Sequence, residues 1–153
     1  MKIYMLNAPF MPKSVKGRFV RCGRWQGGVA RGGTLYYPIW LAYAAGVLEK
    51  EGHKVKLVDA VAWNWKIEEV INAVRKFKPD LIVVDSNFAS LKNDMRVAKL
   101  LKNNIDGVIT VIVGPPASQY PVKILENDGV DIAARFEYDF TVRDIAEAIV
   151  SLK

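Results

Sequence analysis

The chain has 153 residues, 51% of them hydrophobic and 25% charged, with a net charge of +6. Those totals describe one globular domain able to bury a core, and they leave no apolar run near the roughly 18 residues that span a bilayer. One cysteine excludes an internal disulfide and a cysteine-only metal cluster, and a cytoplasmic location is the default expectation.

The first strand is expected over residues 3–6, ending in Asn7-Ala8-Pro9. About thirty residues without clear periodicity follow, a long loop over 10–35. A connection beyond about 12–15 residues is commonly functional or disordered. Lys13, Lys16, Arg18, Arg21, Arg24 and Arg31 lie in it, Lys2 precedes it, and no acidic residue occurs before Glu49. Removing those seven from the 22 basic residues leaves 15 against 16 acids, so the excess charge belongs to this segment. The start, Met1-Lys2 with a few apolar residues before Pro9 and Pro12, does not read as a signal peptide.

A helix is expected over 38–50, with Pro38 at its first position and Gly52 as its C-terminal cap. A second strand follows over 55–59. Ile67, Val70, Ile71, Val74 and Phe77 recur at helical spacing, and Lys78-Pro79-Asp80 stops that helix. The apolar run 81–84 fits a central parallel strand covered on both faces. After a loop over 86–90 comes a helix over 91–103, with Met95, Ala98 and Leu101 inward. A fourth strand over 108–113, a loop at 114–120, a short helix over 121–127 and a weaker fifth strand over 130–134 follow. A last helix carries Val142, Ile145, Ala146, Ile149 and Leu152 on one face.

Strands alternating with helices predict an α/β, flavodoxin-like (Rossmann-like) five-stranded parallel sheet of order 2-1-3-4-5, with helices on both faces and ligands beyond the carboxyl ends of the strands. All 153 residues are read as one domain. That topology sends 7–37, 60–66, 85–90, 114–120 and 135–141 to the ligand edge. His53, the only histidine, falls on the opposite edge and reads as a surface turn residue.

The run from Gly27 to Thr34 is glycine-rich but lacks the lysine that a phosphate loop places before its Ser/Thr, and reads as a flexible loop. No dinucleotide fingerprint follows the first strand. Asp85 ends the third strand as a receiver's phosphorylated aspartate does, yet Asn7-Ala8-Pro9 supplies no acid to hold magnesium. With Phe19 and Trp25 among its arginines, the basic loop suits a nucleic acid, an anionic group or plain solvation; no recognised nucleic-acid module accompanies it, which disfavours the first. Trp63 and Trp65 either cover the sheet or face a partner. Paired carboxylates, a Ser-His-Asp set and metal-ligand spacing are all lacking, which leaves independent catalysis poorly supported. Gly114-Pro115-Pro116 permits close backbone approach beside Ser86 and Asn87, suggesting a binding crevice.

Several segments then coincide with one family. Tyr37-Pro38-Ile39-Trp40-Leu41-Ala42-Tyr43-Ala44-Ala45-Gly46-Val47-Leu48, Glu51-Gly52-His53-Lys54-Val55, Val58-Asp59-Ala60, Lys78-Pro79-Asp80, Gly114-Pro115-Pro116-Ala117 and Gly129-Val130-Asp131 stand in the order and spacing of a known domain. Across nearly its whole length the chain resembles the N-terminal cobalamin-binding domain of cobalamin-dependent radical SAM proteins. The resemblance implies base-off cobalamin with no histidine below the metal, since the Asp-x-His-x-x-Gly of methyl-transfer and mutase domains is missing. The nucleotide tail would thread between sheet and helices past Ser86, Asn87 and Gly114.

The cofactor-binding residues it implies are Asn7, Ala8, Pro9, Tyr37, Ser86, Asn87, Phe88, Gly114, Pro115, Pro116, Glu137 and Tyr138. Gly114-Pro115-Pro116-Ala117 stands where the family often has Gly-Gly-Pro-His, and Arg135-Phe136-Glu137-Tyr138-Asp139 where it often has Arg-Gly-Glu-Gly-Glu. Phe136 and Tyr138 are thus expected to alter or obstruct the tail's crevice. No Cys-x-x-x-Cys-x-x-Cys is present to hold an iron–sulfur cluster, so S-adenosylmethionine and [4Fe-4S] would enter only through a radical SAM domain, in cis or in trans. On this expectation the chain is an excised domain or a standalone relative, supporting methylation or a related radical reaction without performing it alone. The reading from a different class is a non-catalytic flavodoxin-like module that binds a protein partner or another nucleotide-tailed ligand.

Overall fold

Strand β1 (Lys2–Asn7) is apolar on both faces because both faces are covered. Ile3 and Met5 point to one side of the sheet and Tyr4 and Leu6 to the other, all four fully buried. The computed structural model describes residues 1–10, 19–22, 26–29 and 37–152, with the backbone alone at 19–22 and 26–29. The elements after β1 are β2 (Phe19–Cys22), β3 (Gln26–Val29), α1 (Ile39–Lys50), β4 (Lys54–Asp59), α2 (Ile67–Phe77), β5 (Leu81–Asp85) and α3 (Leu91–Lys102). They are followed by β6 (Ile109–Val113), α4 (Pro115–Gln119), α5 (Pro121–Leu125), β7 (Ile132–Ala133) and α6 (Tyr138–Ser151).

The main sheet has the order β4-β1-β5-β6-β7, all parallel, which is the expected 2-1-3-4-5. Asn7 lies opposite both Asp59 and Asp85, so three polar residues end three adjacent strands in register. Helices α1 and α6 cover the face holding Ile3, Met5, Leu81 and Val83. Helices α2 and α3 cover the face holding Tyr4, Leu6, Ile82 and Val84. Helix α2 opens with half of a capping box, the Glu69 carboxylate accepting the Lys66 backbone N–H at 2.6 Å, and ends at Lys78 in the left-handed conformation.

The structure corrects several expectations. Part of the presumed structureless loop is an antiparallel hairpin: β2 pairs with β3, Phe19 opposite Val29 and Cys22 opposite Gln26. Gly27 and Gly28 therefore sit in a ladder and not in a flexible loop, because pairing to a nearby partner needs only backbone groups. Lys13, Lys16, Arg18, Arg24, Trp25 and Arg31 lie outside the described residues. Pro38 precedes the first helical residue, with ψ 71°, and Gly52 follows the cap at φ 80°. The loop at 114–120 contains α4, begun by Pro115, whose fixed φ suits a first turn. The fifth strand keeps only two residues. On α3, Ala98 and Leu101 are fully buried and Met95 packs against the core as expected, and Asn93, Asp94 and Val97 are buried as well.

His53 lies at the amino edge as expected but is half-buried rather than a plain surface residue. Its Nδ1 stands 3.4 Å from the Met1 nitrogen. Burial, with the N-terminal charge beside it, lowers the pKa of its imidazole. Among the described residues no helix is long and apolar enough to cross a membrane.

Candidate functional site

The carboxyl ends of β1, β4, β5 and β6 lie together, and hydrogen bonds within and between the segments that leave them hold these segments in place. At the end of β1, Asn7 is 3% exposed and its Nδ2 donates to Asp59 Oδ1 at 2.8 Å. The same carboxylate oxygen accepts the Ala62 N–H at 3.1 Å, holding the turn after β4. That turn passes through Asn64 at φ 55° and presents Trp63 in an edge contact with Trp65, centroids 4.8 Å apart. Trp65 packs against the core while Trp63 is exposed, so one ring covers the sheet and the other faces outward.

The β5–α3 turn is built around a buried carboxylate. Asp94, with no exposed surface, accepts from Ser86 Oγ at 2.8 Å and from Ser90 Oγ at 2.5 Å. Asn87 closes the turn: its Oδ1 accepts the Ser90 N–H at 2.9 Å, while its N–H donates to Ser90 Oγ at 3.2 Å. Asn93 Nδ2 donates to the Pro9 carbonyl at 3.0 Å and so ties α3 to the end of β1. Hydrogen-bonded burial is what makes these polar groups tolerable in the interior. Ser90, Asn93 and Asp94 escaped the sequence reading. The one available signal was Ser90 and Asp94 at i and i+4, neighbours on a helix surface.

Beside this turn lies Gly114, at φ 98° and ψ −178°, a region open essentially to glycine. A Cβ there would stand 2.2 Å from the Ser86 carbonyl oxygen, and Ser86 N donates to the Val113 carbonyl at 3.0 Å. Between these turns and the start of α6 lies a cleft of about 270 Å³, lined by Phe88, Gly114, Pro115, Ser118, Gln119, Phe136, Glu137 and Tyr138. Phe88 makes an edge contact with Tyr120 at 6.1 Å on one side.

Five of the implied residues, Phe88, Gly114, Pro115, Glu137 and Tyr138, line this cleft. Asn7, Ala8, Pro9, Ser86 and Asn87 are buried at the ends of β1 and β5, and Pro116 is buried within α4. Tyr37 is exposed, ahead of α1. Phe136 and Tyr138, expected to alter or obstruct the tail's crevice, both line the cleft. Phe136 holds φ 57° with its N–H donating to Ser118 Oγ at 2.7 Å, and its ring, 69% exposed, lies under the Arg135 guanidinium at 4.8 Å. Tyr138 is buried among the residues that pack α1 and α6 on the sheet, so it walls the cleft without filling it. Among the described residues no group of three His, Cys, Asp or Glu could hold a metal ion. The chain's one histidine is at the other edge.

The model of the B12 binding domain family matches residues 26–146. The chain belongs to the B12-binding domain family. The match runs from β3 into α6 and so contains the cleft; Asn7 lies outside it. An uncharacterised methyltransferase of Pyrococcus horikoshii, PH0819, is 28% identical over 76% of this chain. The cytidylyl-2-hydroxyethylphosphonate methyltransferase of Streptomyces wedmorensis is 24% identical over 69% of it. This B12-binding domain corresponds to 26% and 23% of those two proteins, about a quarter of their length. A solved structure of the cobalamin-dependent S-adenosylmethionine radical enzyme OxsB, with aqua-cobalamin and S-adenosylmethionine bound, covers 98% of the chain. The TM-score is 0.71 at 16% identity, over 19% of that larger chain, so the two share a fold.

Proposed function

We propose that this B12-binding domain holds cobalamin base-off, with no histidine beneath the metal, for a radical SAM domain that carries out methylation. The observation behind this reading is the cleft at the carboxyl edge of a B12-binding fold whose single histidine lies on the opposite edge. At about 270 Å³ the cleft is below the 300–1,000 Å³ usual for a whole drug-sized ligand. It suits part of the cofactor, the flat nucleotide base, against Phe88, Phe136 and Tyr138.

Gly114 allows the β6–α4 turn to lie on the β5–α3 turn, and the Asp94 network keeps Ser86 and Asn87 in place beside it. Ala8, Pro9, Tyr37, Pro115, Pro116 and Glu137 complete the proposed binding edge. The chemistry a bound cobalamin supplies is methyl carriage at cobalt; the domain binds it, orients it and withholds a protein ligand from its lower face. Both named relatives are called methyltransferases, which supports methylation, and the OxsB fold supports a radical SAM partner. A cytoplasmic setting agrees with the single cysteine.

Electron paramagnetic resonance of the chain loaded with cob(II)alamin tests the ligation. The expected spectrum lacks the nitrogen splitting that an axial imidazole or benzimidazole imposes. A nitrogen-split spectrum would refute the base-off assignment.

A further inference from the structure

Two Asp-Gly pairs occur in the chain, Asp106-Gly107 between α3 and β6 and Asp128-Gly129 between α5 and β7. Both lie at the amino edge of the sheet, away from the cleft. Such a pair is open to an intramolecular reaction, because a glycine without Cβ lets its nitrogen approach the preceding side chain. The glycine nitrogen attacks the carboxyl carbon of the aspartic acid. A C–N bond forms, the amide proton and the carboxyl hydroxyl leave as water, and a five-membered imide results. Water then reopens the imide on either side. Breaking the bond at the side-chain carbonyl restores aspartate. Breaking the bond at the main-chain carbonyl gives isoaspartate, whose backbone runs through the side chain and which carries a free α-carboxylate.

The two pairs share a dipeptide and differ in their surroundings. At Asp128, Lys99 Nζ of α3 stands 2.7 and 2.8 Å from the two carboxylate oxygens. That hydrogen bond holds the carboxyl below its ordinary pKa, and an ionised carboxylate has no hydroxyl to lose. The Gly129 N–H donates to Asn127 Oδ1 at 3.0 Å. Gly129 is buried against α3, where a Cβ would stand 2.3 Å from Lys99 Cα, so the backbone has little room to turn its nitrogen toward the carboxyl. Asp106 and Gly107, in contrast, are both exposed. Neither the Asp106 carboxylate nor the Gly107 N–H has a partner among the described residues. Gly107 holds φ 70°, and beyond its chain neighbours no atom lies within 4 Å of where a Cβ would stand.

We propose that Asp106 is a site of spontaneous isoaspartate formation in the folded protein, while the fold protects Asp128. The product presents an exposed isoaspartyl α-carboxylate, the class of substrate that a protein carboxyl methyltransferase esterifies with S-adenosylmethionine.

The test is to incubate the chain for weeks near neutral pH, digest it and locate isoaspartate by electron-transfer fragmentation, with labelling by a protein isoaspartyl methyltransferase as second readout. Isoaspartate is expected to build up about tenfold faster at Asp106 than at Asp128, the ratio set by breaking one hydrogen bond and one exposed ion pair to free Asp128. In urea the two rates are expected to converge. Lys99→Ala combined with Asn127→Ala is expected to raise the rate at Asp128 in the folded chain. Equal rates in the folded chain, a bias toward Asp106 that persists unchanged in urea, or a double variant whose Asp128 stays as slow as in the native chain overturns the inference. So does a folded chain in which no isoaspartate forms at Asp106.

Discussion

At the carboxyl edge the backbone of Gly114 lies close against the Ser86 carbonyl, and it makes a sharp prediction. Alanine there would force a non-glycine residue to φ 98° and set a Cβ 2.2 Å from a carbonyl oxygen that is itself part of the β5–α3 turn. Strain and overlap together should cost at least about 3 kcal/mol in urea denaturation. A loss below about 1 kcal/mol would show that the two turns do not depend on each other. At this scale the legible residues were those with unusual chemistry in a loop: Gly114, Pro115 and the pair Ser86 and Asn87. Asp94 was hidden because a charged residue on a helix normally faces water, and nothing local states that two serines from the preceding turn will enclose it. The directions of Phe136, exposed at the cleft, and Tyr138, buried in its wall, are not legible, because sequence gives a side chain's size and not its direction.

The elements divide by whether their signal is local. Helices α2 and α6 announce themselves by apolar spacing, and β1 and β5 by uninterrupted apolar runs. The β2–β3 hairpin does not, since two of the four residues of β3 are glycines that contribute no side-chain pattern. Strand β7 is anchored instead by what precedes it. Asp131 accepts from the Thr110 N–H at 2.9 Å and pairs with Lys102 of α3, joining helix, strand and loop. Partial burial opposes its charge, but the bonds from Lys102 and Thr110 prevail and hold its pKa below the usual 3.8. A depressed carboxylate stabilises the fold above the ordinary pKa, and that contribution is lost as pH falls through the folded value. Asp131→Asn should therefore cost about 1 kcal/mol at pH 7, and the gap to the native chain should shrink by pH 3. A gap equally wide at both values would mean that the carboxylate's charge plays no part.

In the whole molecule, five parallel strands of order 2-1-3-4-5 carry all the proposed ligand contacts to one edge and the sole histidine to the other. Order and periodicity made that architecture readable, because β1 and β5, covered on both faces, read as apolar runs and α2 and α6 as amphipathic helices. The chain spans about a quarter of the length of the methyltransferases it matches, and holding the cofactor is the part proposed for it.

The most direct test is therefore to incubate the chain with hydroxocobalamin, remove free ligand and record the visible spectrum. The account predicts about one cobalamin retained per chain, with a base-off spectrum. No retention, or a retained cobalamin with its own base still on the metal, would contradict it.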